Sequence, residues 1–453
     1  MHIGRYEIRG LLGRGGMGAV YKALMPITGR IVALKVLKPS DMLEAIVGPD
    51  ALTDMFAKEA ITMARISHPN VASILDVDMG TPTVPPHFTM EYFCGNLGVL
   101  MGETYEVEKN SRRLGFTASL HIARAMLQGL DRLHFEGIVH RDIKPFNVML
   151  AEDQDGPGRV KLIDFGLSKL RGETPAGHTG MVIGSPYYTA PEQEAAPETA
   201  DARSDLYSVG VTLYRMLTGD LPSTPFDAAL LAEMYPGFDS LWASFFTQAL
   251  AADPTDRFPD ATRMIRALDA LESAWLAHKE AICLATDLLL DLDAPAAQPS
   301  PRQQPVKVSL KKAQALFDLD TLWRPNQSAP NDFQDLDNQT ILNRTTGHIW
   351  EKHGTRYPLT WQHAHAHVRR LNHHQFAGHS NWRLPTIPEL LTIFSPQTTP
   401  GERCLQPLFD PQKARLWSAD TKAFTAAWYA DAEMGFVWWQ DLTCRFFVRA
   451  VCQ

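Results

Sequence analysis

The chain lacks long apolar runs and has no N-terminal apolar segment. Its nearest approach to an apolar run, residues 281–290, is short and contains Asp287, whereas a spanning helix needs roughly 18 or more apolar residues in succession. The N-terminus, MHIGR, does not carry the apolar segment of a signal peptide. We therefore expect a cytoplasmic chain without a membrane span.

The chain also lacks a basic excess and a dense set of cysteines. Its 51 acidic and 43 basic side chains give a formal net charge of −8, so nucleic acid and anionic membranes are not expected partners. Five cysteines do not form a disulfide framework in a chain of this length, and their odd number favours reduced thiols. The small basic cluster of Lys109, Arg112 and Arg113 is expected to be solvated surface.

Length and composition predict more than one domain. A chain of 453 residues with 45% hydrophobic content is expected to form two or three domains with buried cores. Composition changes abruptly at residues 293–305, where prolines recur at positions 295, 299, 301 and 305, which favours an extended linker. We predict a first domain over residues 1–277, a proline-rich linker over 278–316 and a second domain over 317–453.

Two short motifs in the middle of the chain carry the most specific chemistry. Residues 140–147 read HRDIKPFN, and residues 164–166 read DFG. They supply a carboxylate at Asp142, an amide at Asn147 and a second carboxylate at Asp164. Phosphoryl transfer needs a base to hold the acceptor hydroxyl and oxygen ligands to hold Mg²⁺ across the phosphates. Both motifs, in this order, predict a phosphoryl-transfer site.

A glycine-rich segment precedes these motifs. Residues 12–20, LGRGGMGAV, fit the pattern GxGxxGxV, in which glycines let the backbone approach phosphate closely. A dinucleotide-binding fold needs a helix directly after the third glycine and an acidic residue about 20 positions later. Here a strand-like segment follows, and then residues 32–35, VALK. The pattern favours a strand carrying Lys35, with Glu59 in the helical stretch 54–66 as its anionic partner.

Together these motifs resemble those of bacterial eukaryotic-like serine/threonine protein kinases of the Hanks type, over about residues 5–271. The resemblance implies an α+β two-lobe protein kinase fold, with a small lobe over residues 1–91 and a large lobe over 94–277. It implies ATP as cofactor with Mg²⁺, or alternatively Mn²⁺. It also implies non-specific serine/threonine kinase activity on protein substrates.

The resemblance assigns roles to the motif residues. Asp142 is the catalytic base, Lys144 lies near the γ-phosphate, and Lys35 contacts the α- and β-phosphates with Glu59 as its tether. The implied metal ligands are Asn147 and Asp164. The residues implied to contact ATP, with Met90 as gatekeeper and the hinge backbone bonded to adenine, are Gly13, Arg14, Gly15, Gly16, Met17, Gly18, Val20, Ala33, Lys35, Met90, Glu91 and Phe93.

Further landmarks lie in the large lobe. Residues 184–192, GSPYYTAPE, resemble the substrate-docking segment of these kinases. Glu192 is expected to pair with Arg257, and Asp205 is expected to anchor the backbone of the catalytic loop. Between residues 166 and 191 the best-placed hydroxyl for autophosphorylation is that of Thr179, with Thr174 as the second candidate.

The C-terminal region differs in composition from the first domain. It holds eight of the ten tryptophans, at positions 323, 350, 361, 382, 417, 428, 438 and 439. Residues 337–350, 381–390 and 447–451 resemble a bacterial family named after the C-terminal domain of a collagen-like adhesin. The resemblance covers about residues 318–453 and implies a small α+β domain with the C-type-lectin-like fold of formylglycine-generating enzymes.

Aromatic and histidine side chains are the binding candidates of this region. Trp438 and Trp439 are neighbours on a predicted strand, so we expect one of them to be exposed and to mark a binding surface between residues 417 and 444. Residues 361–371 predict an amphipathic helix that places His363 and His367 one turn apart. The spacing allows a cation site, but no acidic third ligand is nearby, and solvated histidines are the favoured interpretation.

Two functions from different classes agree with the sequence. The first is an active kinase in a bacterial signalling pathway, which phosphorylates itself and unknown protein substrates and uses the C-terminal domain as a sensor or targeting module for an unknown ligand or partner. The alternative is a binding or scaffold protein in which the kinase fold is an ATP-dependent switch. The complete set of motif residues favours the first, and dimerisation is compatible with both.

Overall fold

The computed structural model describes residues 1–15, 17–104, 109–151, 159–164, 186–223, 226–227, 239–283, 301–327, 331–395 and 404–453. The chain divides into two compact units, one of residues 1–113 and 119–281 and the other of residues 114–118 and 282–453. In the described parts of both units, no helix combines the length and the apolar character needed to cross a membrane.

The first unit begins with an antiparallel sheet of six strands. The strands are His2–Ile3, Tyr6–Gly15, Gly18–Leu24, Ile31–Leu37, His87–Glu91 and Ile74–Asp78, given in their spatial order. Strand Ile31–Leu37 is central and almost wholly buried, as expected for the continuous apolar run IVALKVL. Two helices, Asp41–Val47 and Pro49–Arg65, follow it along the chain.

Helix Pro49–Arg65 packs through one apolar stripe. It begins with proline at its first position and ends at Arg65, shortly before Pro69. The buried residues recur three or four positions apart, as an amphipathic helix requires, and they are Leu52, Phe56, Glu59, Ala60 and Met63. The single acidic member of this stripe, Glu59, is thereby directed into the protein rather than towards solvent.

The rest of the first unit is mainly helical. Its helices are Leu97–Met101, Phe116–Phe135, Pro191–Ala195, Ala202–Thr218, Asp239–Ala249 and Ala261–Cys283. A small sheet joins strands Gly95–Asn96, Val148–Ala151 and Arg159–Leu162. Short 3₁₀ turns occupy Pro145–Asn147, Pro186–Tyr188, Pro197–Thr199 and Pro254–Asp256. Helix Ala202–Thr218 is the central element, because nearly all of its residues from Ser204 onwards are buried.

Arg112 does not lie on a solvated surface as predicted. Its side chain is 1% exposed and donates to the carbonyl oxygens of Leu100, at 2.9 Å, and Val99, at 2.5 Å. These carbonyls belong to helix Leu97–Met101, whose last turn leaves carbonyl oxygens without helical partners. The guanidinium satisfies them and compensates the negative end of the helix dipole, which explains its burial.

In its described residues, the second unit consists of short strands and three helices. The helices are Leu310–Phe317, Trp361–His373 and Ile387–Thr392, with a 3₁₀ turn at Phe376–Gly378. One sheet orders Phe333–Asp335, Thr340–Asn343, Ile349–Glu351 and Val451–Cys452; a second orders Arg415–Ala423, Ala426–Asp431 and Phe436–Asp441; a third pairs Leu359–Thr360 with Arg445–Phe446. The indole rings of Trp350, Trp417 and Trp428 are fully buried and fill the core, as a small loop-rich unit requires.

Trp438 and Trp439 are both half-buried, so the prediction that one of them is exposed is wrong. They do alternate across the strand, but each is covered from its own side. The ring of Trp323 packs edge-on against Trp438 with centroids 4.8 Å apart. The ammonium group of Lys422 lies 3.0 Å from the ring centroid of Trp439. Neither ring is therefore an open hydrophobic contact surface.

The end of the predicted linker packs onto the second unit. Arg302 forms a bidentate ion pair with Asp420, both bonds being 3.0 Å, and the backbone N–H of Val306 donates to the same carboxylate at 2.8 Å. Lys307 forms a parallel bridge with Thr421, and Val308 and Phe317 enter the core. Proline-rich composition favours an extended backbone, and an extended segment can also pair with a sheet. We propose that the second domain begins near residue 301 rather than 317.

This boundary predicts the effect of Arg302→Ala. Asp420 is fully buried, whereas Arg302 is 27% exposed, so removing the cation leaves a buried carboxylate without its ionic partner. We expect the free energy of unfolding of fragment 301–453 to fall by about 2–3 kcal/mol. Chemical denaturation followed by tryptophan fluorescence measures it.

Arg344→Ala is the matched control. It removes an arginine from the same unit whose ion pair with Asp332, at 3.5 Å, is about half exposed on both sides. Its expected effect is at most about 1 kcal/mol. Equal losses in the two variants would contradict the inclusion of residues 301–308 in the folded unit.

Candidate active site

The glycine-rich segment forms a hairpin between strands Tyr6–Gly15 and Gly18–Leu24. Gly13 pairs with Val20, Arg14 with Ala19 and Gly15 with Gly18. A Cβ atom at Gly18 would lie 2.0 Å from the carbonyl oxygen of Val36, so only glycine fits there. Gly16 lies outside the described residues, and Met17 is half-buried beside it.

One face of the sheet gathers the predicted nucleotide residues. Lys35 is opposite Val20 on one neighbouring strand and opposite Phe88 on the other. Ala33, two positions from Lys35, shares its face and is opposite Met90. Directly paired residues of antiparallel strands project to the same side, so Val20, Ala33, Lys35 and Met90 line one surface. These four residues, which the family resemblance implied to contact ATP, therefore share one face of the sheet.

Lys35 makes the ion pair expected from the sequence. Its Nζ atom lies 2.6 Å from Oε1 of Glu59 and 3.5 Å from Oδ1 of Asp164. Burial alone would lower the pKa of the Lys35 ammonium, but the negative charges of Asp164 and Glu59 outweigh it and raise that pKa. Lys35 is therefore a fixed positive charge held between two segments that are far apart in sequence.

The segment after Met90 carries an ion pair that sequence reasoning missed. The carboxylate of Glu91 accepts from Nζ of Lys161 at 2.7 Å and from the backbone N–H of Ser73 at 3.1 Å. Lys161 is buried and lies three residues before Asp164. The hinge that was predicted to bind adenine through Glu91 and Phe93 is thus tied to the strand that leads to Asp164. The signal available in the sequence was Lys161 between two apolar residues, Val160 and Leu162, of a short strand.

The loop at residues 140–147 brings its functional side chains together. Nζ of Lys144 donates to both carboxylate oxygens of Asp142, at 2.9 and 3.1 Å. The amide nitrogen of Asn147 donates to the Asp142 carboxylate at 2.9 Å and to its carbonyl oxygen at 2.8 Å. The turn Pro145–Asn147 brings the side chain of Asn147 back to Asp142, so that these hydrogen bonds form. Asp142 is thereby oriented by two neighbours.

Asp205 anchors the backbone of this loop, as predicted. Its fully buried carboxylate accepts from the backbone N–H groups of His140, at 2.8 Å, and Arg141, at 2.7 Å. Nε2 of His134 lies 2.8 Å from the same carboxylate. Arg141 has φ of +63°, an unfavourable backbone conformation for a residue with a side chain, and Asp205 offsets its cost.

His140 is held in one neutral tautomer. Its Nε2–H donates to the carbonyl oxygen of Ile163 at 3.0 Å, and its Nδ1 accepts from the backbone N–H of Asp142 at 3.3 Å. Burial lowers the pKa of the imidazole, and a proton on Nδ1 would face the N–H group of Asp142. The neutral ring therefore bridges the loop of Asp142 to the residue before Asp164.

Asp164 completes the cluster. It has φ of +59°, which turns the chain where the strand Arg159–Leu162 has ended. The backbone N–H of Ile163 donates to the carbonyl oxygen of Asn147 at 3.1 Å, so the two loops are joined directly. Phe165, Gly166, Thr174 and Thr179 lie outside the described residues.

Oxygen atoms suited to a hard cation are present at this point. Asn147 uses its amide nitrogen to donate to Asp142, which leaves its amide oxygen as the atom suited to a metal. Asp164 supplies a carboxylate that is 30% exposed. Mg²⁺ prefers such oxygen ligands and is usually bound through one or two protein groups together with phosphate oxygens. The residues present therefore fit the implied magnesium ion.

The segment downstream of the site is anchored at the predicted pair. The guanidinium of Arg257 donates to both carboxylate oxygens of Glu192, each at 2.7 Å. Ser204 also donates to Glu192, at 2.6 Å. Next to this pair, the side-chain amide of Gln193 donates to the carbonyl oxygen of Arg141 at 2.6 Å. Helix Pro191–Ala195 is thus tied to the loop that carries Asp142.

The histidines of the second unit make separate contacts. His367 lies 3.2 Å from the carboxylate of Glu351, and Nδ1 of His363 lies 3.0 Å from the hydroxyl of Thr360. Helix Trp361–His373 buries Ala364, Val368 and Leu371, as its periodicity predicted. Within the described part of the chain, no group of three or more His, Cys, Asp or Glu side chains is arranged to hold a metal ion.

Comparison with known families identifies the class of the first unit. Residues 6–258 match the protein kinase domain family, and residues 339–452 match the Lcl C-terminal domain family. The first match covers more than half of the 453 residues. The chain therefore belongs to the protein kinase family.

Curated relatives are bacterial. The probable serine/threonine-protein kinase PknB of Bifidobacterium longum is 31% identical, over 67% of this chain and 46% of that protein. The serine/threonine-protein kinase PksC of Streptomyces coelicolor is 36% identical, over 58% of this chain and 48% of that protein. The chain thus spans slightly less than half the length of these two relatives. The solved PknI kinase domain of Mycobacterium tuberculosis is 27% identical, over 60% of this chain and 97% of that one, with a TM-score of 0.44.

The neutral state of His140 predicts a pH dependence of stability. The unfolded imidazole gains a proton below a pH of about 6.5, whereas the buried ring resists it, so the free energy of unfolding should fall as pH falls. His140→Gln, whose amide can still donate to the Ile163 carbonyl, should reduce this slope by up to about 1.4 kcal/mol per pH unit. Chemical denaturation of the full chain at several pH values measures it. Parallel pH profiles for the variant and the wild type would contradict the assignment.

Proposed function

We propose that the chain is an ATP-dependent serine/threonine protein kinase, which phosphorylates itself and other proteins. Two joined groups of side chains carry this proposal. Lys35 lies between Glu59 and Asp164, and the Asp142 carboxylate is oriented by Lys144 and Asn147. The backbone bond from Ile163 to Asn147 joins the two segments. This arrangement provides a cation for phosphate, oxygen ligands for a metal and a base for an acceptor hydroxyl.

Asp142 acts as the base in this proposal. As the acceptor hydroxyl oxygen forms a bond to the γ-phosphorus of ATP, its proton passes to the carboxylate of Asp142, and the bond from that phosphorus to the bridging oxygen breaks to release ADP. Lys144, at 2.9 Å from Asp142, is placed to neutralise charge on the transferred group. The orientation that Asn147 gives to Asp142 places the carboxylate before the substrate arrives.

The remaining residues bind the nucleotide. Lys35 holds the α- and β-phosphates, and its pair with Glu59 fixes the ammonium in place. The backbone of the glycine-rich hairpin covers the phosphates, while Met90 and the backbone at Glu91 and Phe93 contact adenine. Asn147 and Asp164 hold Mg²⁺, which when bound neutralises phosphate charge during transfer.

We propose that the second unit is a C-type-lectin-like binding domain that serves as a sensor or targeting module. Its match to the Lcl C-terminal domain family over residues 339–452 and its rigid aromatic core support a binding scaffold rather than a second enzyme. We place the kinase domain at residues 1–277, and we place Thr179 and Thr174 as sites of autophosphorylation. The alternative is a scaffold protein in which the kinase fold is an ATP-dependent switch. Binding of ATP without any phosphoryl transfer would favour this alternative.

Asp142→Asn tests the proposed chemistry. The substitution keeps shape and hydrogen-bonding size but removes the base, so transfer from γ-labelled ATP should fall by about 10²–10⁴-fold. ATP affinity should change little, because Asp142 faces the acceptor. Asp337→Asn, the same substitution at an exposed position of the second unit, is the control and should keep wild-type transfer. If Asp142→Asn retained more than about a tenth of the activity, the assignment of the base would be wrong.

Thr179→Ala tests the proposed regulation. A phosphate on Thr179 adds about −2 charge and acceptor oxygens that the guanidinium of Arg141, next to the base, can bind bidentately. We expect mass spectrometry of active protein to find phosphate on Thr179, and we expect lower activity in Thr179→Ala. Thr174→Ala distinguishes the second candidate. Unmodified Thr179 together with full activity of Thr179→Ala would refute this assignment.

A further inference from the structure

A buried ion pair outside the nucleotide site joins two segments of the first unit. Arg215, on helix Ala202–Thr218, donates through Nε to the carboxylate of Glu103, and each side chain is only 2% exposed. Glu103 follows helix Leu97–Met101, which ends at Gly102 in the left-handed conformation. Buried charges of this kind are unfavourable unless further hydrogen bonds complete their shells.

The carboxylate of Glu103 is a shared acceptor. In addition to Arg215, Oε1 of Glu103 accepts from the hydroxyl of Ser111 at 2.8 Å and from the phenol of Tyr188 at 3.0 Å. Nη2 of Arg215 also donates to the carbonyl oxygen of Lys109 at 2.9 Å. The ion pair thus has polar partners from the segment 109–111 as well as from Tyr188.

The segment that carries Ser111 is itself fixed. The backbone N–H of Ser111 donates to the carbonyl oxygen of Gly219 at 2.8 Å, directly after helix Ala202–Thr218. A Cβ atom at Gly219 would lie 2.6 Å from the carbonyl oxygen of Ser111. Glu103 is therefore held by a rigid part of the large lobe, and it presents a fixed anion to Tyr188.

Tyr188 ends the turn Pro186–Tyr188, which precedes Glu192 and its pair with Arg257. Its ring is 3% exposed, whereas its neighbour Tyr187 is 42% exposed. Burial and the charge of Glu103 raise the pKa of the Tyr188 phenol, so it remains a donor at neutral pH. In this turn, Tyr188 is buried and bonded to Glu103, whereas Tyr187 lies at the surface.

We propose that Glu103 and Arg215 are positioning residues for the acceptor protein, because they hold the hydroxyl of Tyr188 and so fix the turn against which the acceptor segment docks. This proposal rests on the kinase activity proposed above. A fixed turn lowers the conformational entropy lost when an acceptor binds. The effect should thus appear in acceptor binding, since Glu103 bonds to Arg215, Tyr188 and Ser111.

Tyr188→Phe removes only the hydroxyl and leaves the ion pair intact. With the full chain, MgATP and two acceptors, casein and the Asp142→Asn full chain, we expect the acceptor KM to rise about five- to tenfold, as for the loss of a hydrogen bond to a charged group. The ATP KM and kcat should stay within about twofold, while the melting temperature should fall by a few degrees because one hydrogen bond to a buried carboxylate is lost. A merely structural role would not separate the two KM values.

A charge-neutral double variant tests the ion pair itself. Glu103→Gln with Arg215→Met removes both charges together, so no unpaired buried ion remains. It should raise the acceptor KM to a similar degree, and adding Tyr188→Phe to it should add little, because the three residues act as one unit. Tyr214→Phe is the matched control: Tyr214 neighbours Arg215 on the same helix, but its ring packs on Phe246.

Three outcomes would contradict the proposal. An acceptor KM in Tyr188→Phe within about twofold of the wild type and of Tyr214→Phe overturns it while leaving the kinase activity established. A parallel rise of both KM values also overturns it, since that indicates general loss of lobe stability. Absence of transfer by the wild-type chain to either acceptor removes the proposed kinase activity and this proposal together.

Discussion

The conformation of the loop at residues 140–147 depends on one buried carboxylate. Asp205 accepts two successive backbone N–H groups, those of His140 and Arg141, and it can do so only because Arg141 adopts a positive φ. An ion in a fully buried position is unfavourable unless its acceptor sites are filled, and here the loop backbone and His134 fill them. The loop at residues 140–147 therefore takes its conformation when helix Ala202–Thr218 folds into the core.

The helix that supplies Asp205 also supplies Arg215. Both side chains project from helix Ala202–Thr218, ten positions apart, which corresponds to about 15 Å along a helix axis. One end of the helix thus fixes the loop that carries Asp142, and the other fixes Glu103 and, through it, Tyr188. Because the helix is buried nearly throughout, it supports both the loop that carries Asp142 and the turn that carries Tyr188.

The sequence predicted those parts of the site whose geometry is local or follows from strand pairing. Residues two positions apart on a strand share a face, so a strand over IVALKVL places Ala33 beside Lys35. The short spacing in HRDIKPFN keeps Asp142, Lys144 and Asn147 close together. The pairs Lys35–Glu59 and Glu192–Arg257 join distant segments, but family resemblance identified both partners.

Other long-range pairs were missed because nothing local marks both partners. Glu103–Arg215 and Glu91–Lys161 join residues 112 and 70 positions apart, and Glu103 lies in an irregular loop. Arg215 lies within the mostly apolar sequence VTLYRMLT, which indicated that an anionic partner is buried nearby. The sequence did not indicate which residue supplies that anion. Arg112 was misassigned because charge clusters in loops are usually solvated, whereas a nearby helix end offered it three-dimensional partners.

Buried ions also organise the second unit, where they decide which residues belong to the fold. Asp420 links Arg302 and Val306 to the backbone N–H of Ile387, so one carboxylate joins the first residues of the unit to a helix start. Apolar packing alone tolerates sliding of an extended segment along a sheet, because one apolar contact can replace another. A bidentate ion pair has a single geometry and is lost when the segment shifts by one residue. Asp420 therefore specifies the register of the segment, while the tryptophan core supplies the larger part of the apolar burial.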